Sequence, residues 1–203
     1  MTATQPKVVA EGELVRLREK TMDDGERDYS WRCDPELAAY DAARPMTMRL
    51  QSFLATLSEE LQYPTQHRRT FGIEDRATGK HIGNVMYYGY DSFLREAELG
   101  ITIGDREYWS HGFGRDTVRT MLNYLFEELK LRRVYLHTLT WNARAQASFT
   151  AAGFHRVRET RRAGYDFVYM EAYPEDVEGD PTDEWGGGEP SPQPSPTQRG
   201  RGF

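Results

Sequence analysis

The run from Glu96 to Asp116, EAELGITIGDREYWSHGFGRD, constrains the fold more than any other part of the chain. Its first half, Glu96 to Gly104, is rich in β-formers and ends at a glycine. Two glycines then follow in G-x-G spacing, Gly112 and Gly114. After them Val118, Met121, Leu122, Leu125, Phe126 and Leu129 recur at intervals of three and four, which predicts a helix with one buried face. A strand, a glycine turn and a helix start in that order turn unpaired backbone N–H groups outward at the positive end of a helix dipole. That end suits an anionic phosphate, and glycines let a ligand approach the amides with no Cβ in the way.

Two common phosphate motifs do not fit. A dinucleotide fingerprint needs a third glycine where Thr117 stands, and a P-loop needs a Lys-Ser/Thr pair that the run lacks. Downstream, an apolar stretch at 132–139 predicts a strand. Asn142 is a good N-cap for a helix over 143–152, with Gly153 as its C-terminal stop. Upstream, strands are expected near 12–18, 68–76, 80–90 and 95–104, with a tight turn at Ala77-Thr78-Gly79-Lys80. A helical region should run from Asp23 to Tyr63, broken near Arg44-Pro45, and a hairpin should close the domain around Ala163-Gly164.

The order AELGI, YWSHGFGRD, amphipathic helix, strand, then N-x-R-A-x-x-x-F with a closing GF resembles the GNAT superfamily of N-acetyltransferases. The opening Gly12-Glu13-Leu14-Val15-Arg16-Leu17-Arg18 and the strand HIGNVMYYGY are most similar to its Rim-type branch, which acetylates ribosomal-protein N-termini. The resemblance covers residues 11 to 173. It implies an α/β (α+β) fold, a mixed central sheet of about seven strands flanked by helices and splayed at the strands near 96–104 and 133–139.

It also implies an acetyl-CoA-dependent transfer to a primary amine by direct attack on the thioester. The pantetheine arm would lie along Ile101, Thr102 and Ile103, just after a bulge in their strand. The pyrophosphate would sit on the amides of Ser110, His111, Gly112, Phe113, Gly114 and Arg115, with Asn142 and Phe149 completing the cofactor side. Glu98 is the expected general base, directly or through water, and Glu96, two residues away on the same strand face, is the alternative. The Ile103 N–H is the expected donor to the thioester oxygen. Relatives place a Tyr or a Ser on the following helix as the acid for the leaving thiolate. Here those positions are Phe149 and Ala145, with Ser148 as a neighbour, which leaves a weakly catalytic acyl-CoA-binding module as the alternative function. Trp31, Tyr40, Tyr87 and Tyr88 are candidates for the acceptor site, with Phe53 and Tyr90; Tyr87 and Tyr88 must point to opposite faces of their strand. Acceptors open to such a site are a protein N-terminus, an aminoglycoside, an amino sugar or a polyamine.

Composition narrows the remaining classes. One cysteine, Cys33, rules out an internal disulfide and a cysteine metal cluster, and the histidines show no metal-ligand spacing. No apolar run reaches the roughly 18 residues of a membrane span, and the first residues have no signal-peptide pattern. A cytoplasmic protein, monomeric or homodimeric, is expected. Residues 1–10 read as a flexible lead-in. Residues 174–203 hold six of the ten prolines and five more acidic than basic residues, so they read as a disordered tail. Most of the net charge of −6 therefore lies in the tail. The near-neutral domain that remains lacks the basic footprint of a nucleic-acid binder.

Overall fold

The amphipathic run after the glycine turn organises the molecule. In the computed structural model, which describes residues 6–177, it forms helix α4 (Phe113–Glu127). Val118, Met121, Leu122 and Leu125 are fully buried against the sheet. Each such side chain contributes about 1.5–3 kcal/mol by leaving water.

The sheet has eight strands, one more than the roughly seven expected. They are β1 (Val8–Glu11), β2 (Val15–Glu19), β3 (Arg68–Asp75), β4 (His81–Asp91), β5 (Glu96–Ile103), β6 (Arg133–Leu139), β7 (His155–Arg162) and β8 (Tyr165–Ala172), in the order β1-β2-β3-β4-β5-β6-β8-β7. Every neighbouring pair is antiparallel except β5 and β6, which run parallel with α4 as their crossover. The remaining helices are α1 (Gly25–Cys33), α2 (Pro35–Tyr40), α3 (Leu50–Gln62) and α5 (Ala143–Ala151). The core face of the sheet carries Val85, Tyr87, Ala97 and Leu99 against α4 and α5. The opposite face lies under α1 to α3.

The extra strand comes from the expected lead-in. Val8 and Val9 are β-formers, and with Ala10 and Glu11 they make a strand that pairs with β2 across a turn closed by Gly12 N–H to the Val15 carbonyl at 2.9 Å. The expected strand at 12–18 is therefore that turn plus β2. The helical region breaks twice rather than once. Asp34 accepts from the Glu36 and Leu37 amides and, with Pro35 behind it, starts a new helix; the second gap covers 41–49. At the other end, Pro174–Asp176 form a short 3₁₀ turn and Val177 is buried, so the first residues of the expected tail close the domain. The rest of that segment, with Trp185, lies outside the described residues. The hairpin at Ala163-Gly164 is present, both residues having positive φ.

Candidate active site

Strands β5 and β6 pair only at their first residues. The register runs Glu96↔Arg133, Ala97↔Val134, Glu98↔Tyr135 and then stops, while β6 stays paired to β8 as far as Leu139. Beyond Glu98 the two strands part, and a cleft of about 560 Å³ opens between them, lined by β5, β6, the glycine turn and α5. Backbone direction decides what β5 offers there. The Gly104 N–H bonds back to Ile82 on β4 at 3.0 Å, whereas the Ile103 carbonyl turns away and accepts from Trp109 Nε1 at 2.7 Å. Backbone groups alternate sides along a strand, so Ile101 and Ile103 turn theirs to the cleft and Thr102 turns its own to β4. Thr102 therefore meets the cleft through its side chain. The expected bulge lies across from this site: it is on β4 between Tyr88 and Asp91, with Gly89 at φ +63°, and β5 itself is regular.

The glycine turn closes one end. Gly112 sits at φ +88° as the residue before α4, a conformation that favours glycine, and the first helical bond runs from Asp116 N–H to the Gly112 carbonyl at 2.9 Å. The amides of Phe113, Gly114 and Arg115 thus open the helix toward the cleft. Ser110, Gly112 and Gly114 line it. His111 and Arg115 are exposed and Phe113 packs edge-on against Tyr108, so their side chains do not. Asn142 lines the cleft and caps α5 through the Ala145 amide at 3.2 Å. Ala145 and Phe149 form the apolar wall expected of them, and Ser148 Oγ lies 3.4 Å from where a Gly114 Cβ would be, beside the phosphate turn. Sequence reading missed a lid here. Tyr40, Trp109 and Trp141 pack together and the Arg144 guanidinium stacks 3.8 Å from the Trp109 ring centre.

Glu98 marks the other end. Its side chain is 13 % exposed, on the face opposite the core, and Oε1 accepts from His137 Nδ1 at 2.7 Å. His137 is 6 % exposed and its Nε2 has no partner. A proton on Nδ1 satisfies Glu98; one on Nε2 would be buried and unpaired. Tyr88 is the β4 neighbour of Glu98, and burial, followed by the Glu98 charge, pushes its hydroxyl well above the usual tyrosine range, so it stays protonated. Glu96 differs: Arg133 Nη2 holds it at 2.5 Å, and the same arginine bonds Glu171 at 2.6 Å. No sequence signal singled out His137, because only the parallel pairing of β5 with β6, which sets Tyr135 opposite Glu98, brings it within reach of that carboxylate.

Over residues 15–155, more than half of the chain, the sequence matches the family described as Acetyltransferase (GNAT) domain. The chain belongs to the GNAT acetyltransferase family. It is 24 % identical over 169 residues to YoaA, an uncharacterised N-acetyltransferase of Bacillus subtilis strain 168, covering 83 % of this chain and 93 % of that one. The fold is similar to a spermidine N-acetyltransferase from Vibrio cholerae in complex with CoA and spermine, with a TM-score of 0.72 at 20 % identity, over 82 % of this chain and 99 % of that one. It is also similar to the aminoglycoside acetyltransferase AAC(6')-Ib in complex with coenzyme A, with a TM-score of 0.67 at 19 % identity, over 81 % and 97 %. The protein is thus an acetyltransferase with acetyl-CoA as cosubstrate. Its residues fit that group: a parted strand pair with inward backbone groups, and a glycine turn whose amides lie at the cleft mouth.

On the far side of β5 the acetyltransferase has a second cleft, of about 570 Å³, under α1 to α3. The two meet at Thr102, Met86, Asp41 and Arg32, which line both. Trp31 and Phe53 line the second cleft. Trp31 also packs on His81 and fills the space beside Gly104. Tyr40 belongs to the first cleft and its lid instead. Tyr88 lines the first cleft next to Glu98, whereas Tyr87 is 4 % exposed in the core against Tyr90, which removes both Tyr87 and Tyr90 from the acceptor site. Among the described residues no group of three His, Cys, Asp or Glu side chains could hold a metal ion, and no helix is long and apolar enough to cross a membrane.

Proposed function

We propose that the enzyme acetylates a primary amine by direct attack on the thioester, with Glu98 as the base. What carries this reading is the placement of the Glu98 carboxylate where β5 and β6 part, beside the first cleft-facing backbone groups. The acceptor ammonium enters from the second cleft at the Met86–Thr102 seam. Glu98 takes one of its protons, directly or through a water, while His137 Nδ1–H holds the other carboxylate oxygen. The amine nitrogen then bonds the acetyl carbon and the C–S bond breaks.

The donor to the thioester oxygen is reassigned. At about 3.3 Å per residue, Ile103 lies roughly 17 Å along the strand from Glu98, too far for one thioester to meet both. The Ile101 N–H, facing the same cleft about 10 Å from Glu98, serves in its place, and Ile103 lies at the pantetheine end. The apolar wall of Ala145 and Phe149 offers the sulfur no proton. A thiol with a pKa near 8.5 leaves as a tolerable thiolate, so the step needs no side-chain acid. The alternative of a weakly catalytic acyl-CoA-binding module rests on that same wall.

A titration with acetyl-CoA by calorimetry, followed by initial rates on primary amines, tests the reading. Saturable one-to-one binding and amine-dependent release of CoA thiol are expected. No binding at millimolar ligand overturns it; tight binding without turnover on peptide, sugar and polyamine amines favours the binding module.

A further inference from the structure

The face of the sheet that carries Glu98 is ordered in cross-strand rows. The row Arg68–Tyr88–Glu98 runs from β3 to β5, and the next is Thr70–Met86–Gly100. Arg68 does not point away from this lattice. Its Nη2 lies 3.9 Å from the Met86 sulfur, and that sulfur is 3.7 Å from where a Cβ on Gly100 would sit. The guanidinium thus hangs at the seam between the two clefts, on the acceptor side of the acetyl site. A thioether is a weak acceptor, so this contact leaves the donors of Arg68 essentially unspent.

The residues lining the second cleft carry one more cation than carboxylate: Lys20, Arg32, Arg44, Arg68 and Arg69 against Glu19, Asp28, Asp41 and Glu60. Lys20 is matched by Asp24 and Asp28, and Glu19 by Arg69. Arg32 faces Asp41 electrostatically, so among the described residues lining that cleft Arg44 and Arg68, which make no ion pair, stand against the one carboxylate Glu60. A site for a polycation would be built the other way, with carboxylates in excess. Arginine's planar fork matches carboxylate and phosphate oxygens.

We propose that the acceptor is an amine that also carries an anionic group, a carboxylate or phosphate a few bonds from the nitrogen, and that Arg68 receives this group while Glu98 receives the ammonium. This rests on the acetyltransferase reading above and names its substrate class. Gly100 is part of the arrangement. A side chain there would meet Met86 and Tyr88 at 3.2 and 3.3 Å and fill the passage between the two charged ends.

The test uses the full chain, acetyl-CoA and matched amines: a dipeptide against its C-terminal amide, glucosamine 6-phosphate against glucosamine, and spermidine as polycation. In at least one pair the anionic member should show a kcat/KM about tenfold above its neutral partner, as expected for one charge-assisted hydrogen bond, and should exceed spermidine. Arg68→Met, which keeps the length and removes the charge, should bring that ratio close to one, whereas Arg68→Lys should retain part of it. The pair that responds, dipeptide or sugar phosphate, tells carboxylate from phosphate. Preference for spermidine or for the neutral members overturns the inference and leaves the acetyltransferase reading intact; so does a ratio that survives Arg68→Met. Release of no CoA thiol with any amine, by protein that binds acetyl-CoA, overturns both.

Discussion

Two carboxylate–histidine pairs lie on the same face of the sheet, and they are finished differently. In the first, Asp28 meets His81 Nε2 at 3.0 Å. Around it Lys20, Asn84 and the Ile73 carbonyl take up the remaining polar atoms, and Arg18 is bonded to Asp24 through both ends of its fork. In the second, Glu98 meets His137 Nδ1 at 2.7 Å, but His137 Nε2 is left without a partner and the carboxylate lines a cleft. The chemical units are the same. Complete satisfaction makes the first a fastening between α1 and the sheet. Incomplete satisfaction, which costs stability, leaves the second with an unspent ring nitrogen, in keeping with the proposed role of Glu98.

Exchanging one carboxylate oxygen for nitrogen, at Glu98 in the cleft pair and at Asp24 beside the fastened pair, tests that contrast most severely. Glu98→Gln should lower kcat by about 10²- to 10⁴-fold, the usual worth of a positioned base, while acetyl-CoA affinity and melting temperature barely move. An unchanged kcat at saturating amine would remove Glu98 from the base role. Asp24→Asn should do the converse. Arg18 stays buried with Glu74 as its remaining carboxylate, so the loss in denaturant unfolding should approach but not exceed the about 3–5 kcal/mol of a broken buried pair, with turnover per folded molecule retained. Glu96→Gln, next to the base but clamped by Arg133, belongs with the second class.

The fastening also makes a pH prediction with a definite sign. Burial alone would raise the Asp24 carboxyl, yet the Arg18 hydrogen bond and the charges of Lys20 and His81 outweigh it and hold it well below the usual range. For Asp28, burial is likewise outweighed by His81 and Lys20. Both folded-state values are depressed. Their stabilisation is therefore fully present above the unfolded carboxylate value of about 3.9 and is lost as pH falls toward the lower folded values. Melting temperature should drop below about pH 4, and Asp24→Asn should flatten that drop. An equal drop in wild type and variant would contradict the assignment.

Smaller effects sharpen the contrast at the cleft. Gly112→Ala imposes left-handed strain of about 1–2 kcal/mol on the phosphate turn and should weaken acetyl-CoA binding about tenfold. Gly79→Ala, at φ +72° in the β3–β4 turn with nothing near its Cβ, should cost similar stability and leave that affinity alone. His137→Ala removes a charge-assisted hydrogen bond and should lower kcat about tenfold at constant acetyl-CoA affinity, with His137→Asn restoring part of it. Phe149→Tyr should change kcat by less than about threefold if the thiolate leaves unaided; a large gain would show that leaving-group protonation limits the rate.

What the sequence disclosed follows from the range of the interactions involved. The strand, glycine turn, helix and Asn142 cap were legible because period, cap and φ > 0 signals act within a few residues. So were the parting of β5 and β6 and the apolar wall at Ala145 and Phe149, once the motifs were recognised. His137 was not legible, since its partner is 39 positions away, nor was the Asp28–His81 pair, 53 positions apart. The bulge was assigned to the wrong strand because two strands that exchange bonds share one irregularity, and only pairing shows which carries the extra residue. Tyr87 and Tyr88 illustrate the same limit. Alternation showed that they oppose, but only the packed core decided which one faces inward.

Asp116 gives the cofactor turn a mechanical tie to the start of the domain. From the first turn of α4 its carboxylate accepts from the Glu13, Leu14 and Val15 amides, at 3.1, 2.7 and 3.0 Å, and the Leu14 side chain reaches to 3.4 Å from where a Gly112 Cβ would stand. A negative charge beside the proposed phosphate site is thereby spent on backbone donors more than 100 positions away in sequence. The Glu13 and Leu14 amides of the β1–β2 turn and the Val15 amide that begins β2 become a remote readout of occupancy: whatever steadies the helix start slows their exchange with solvent deuterium.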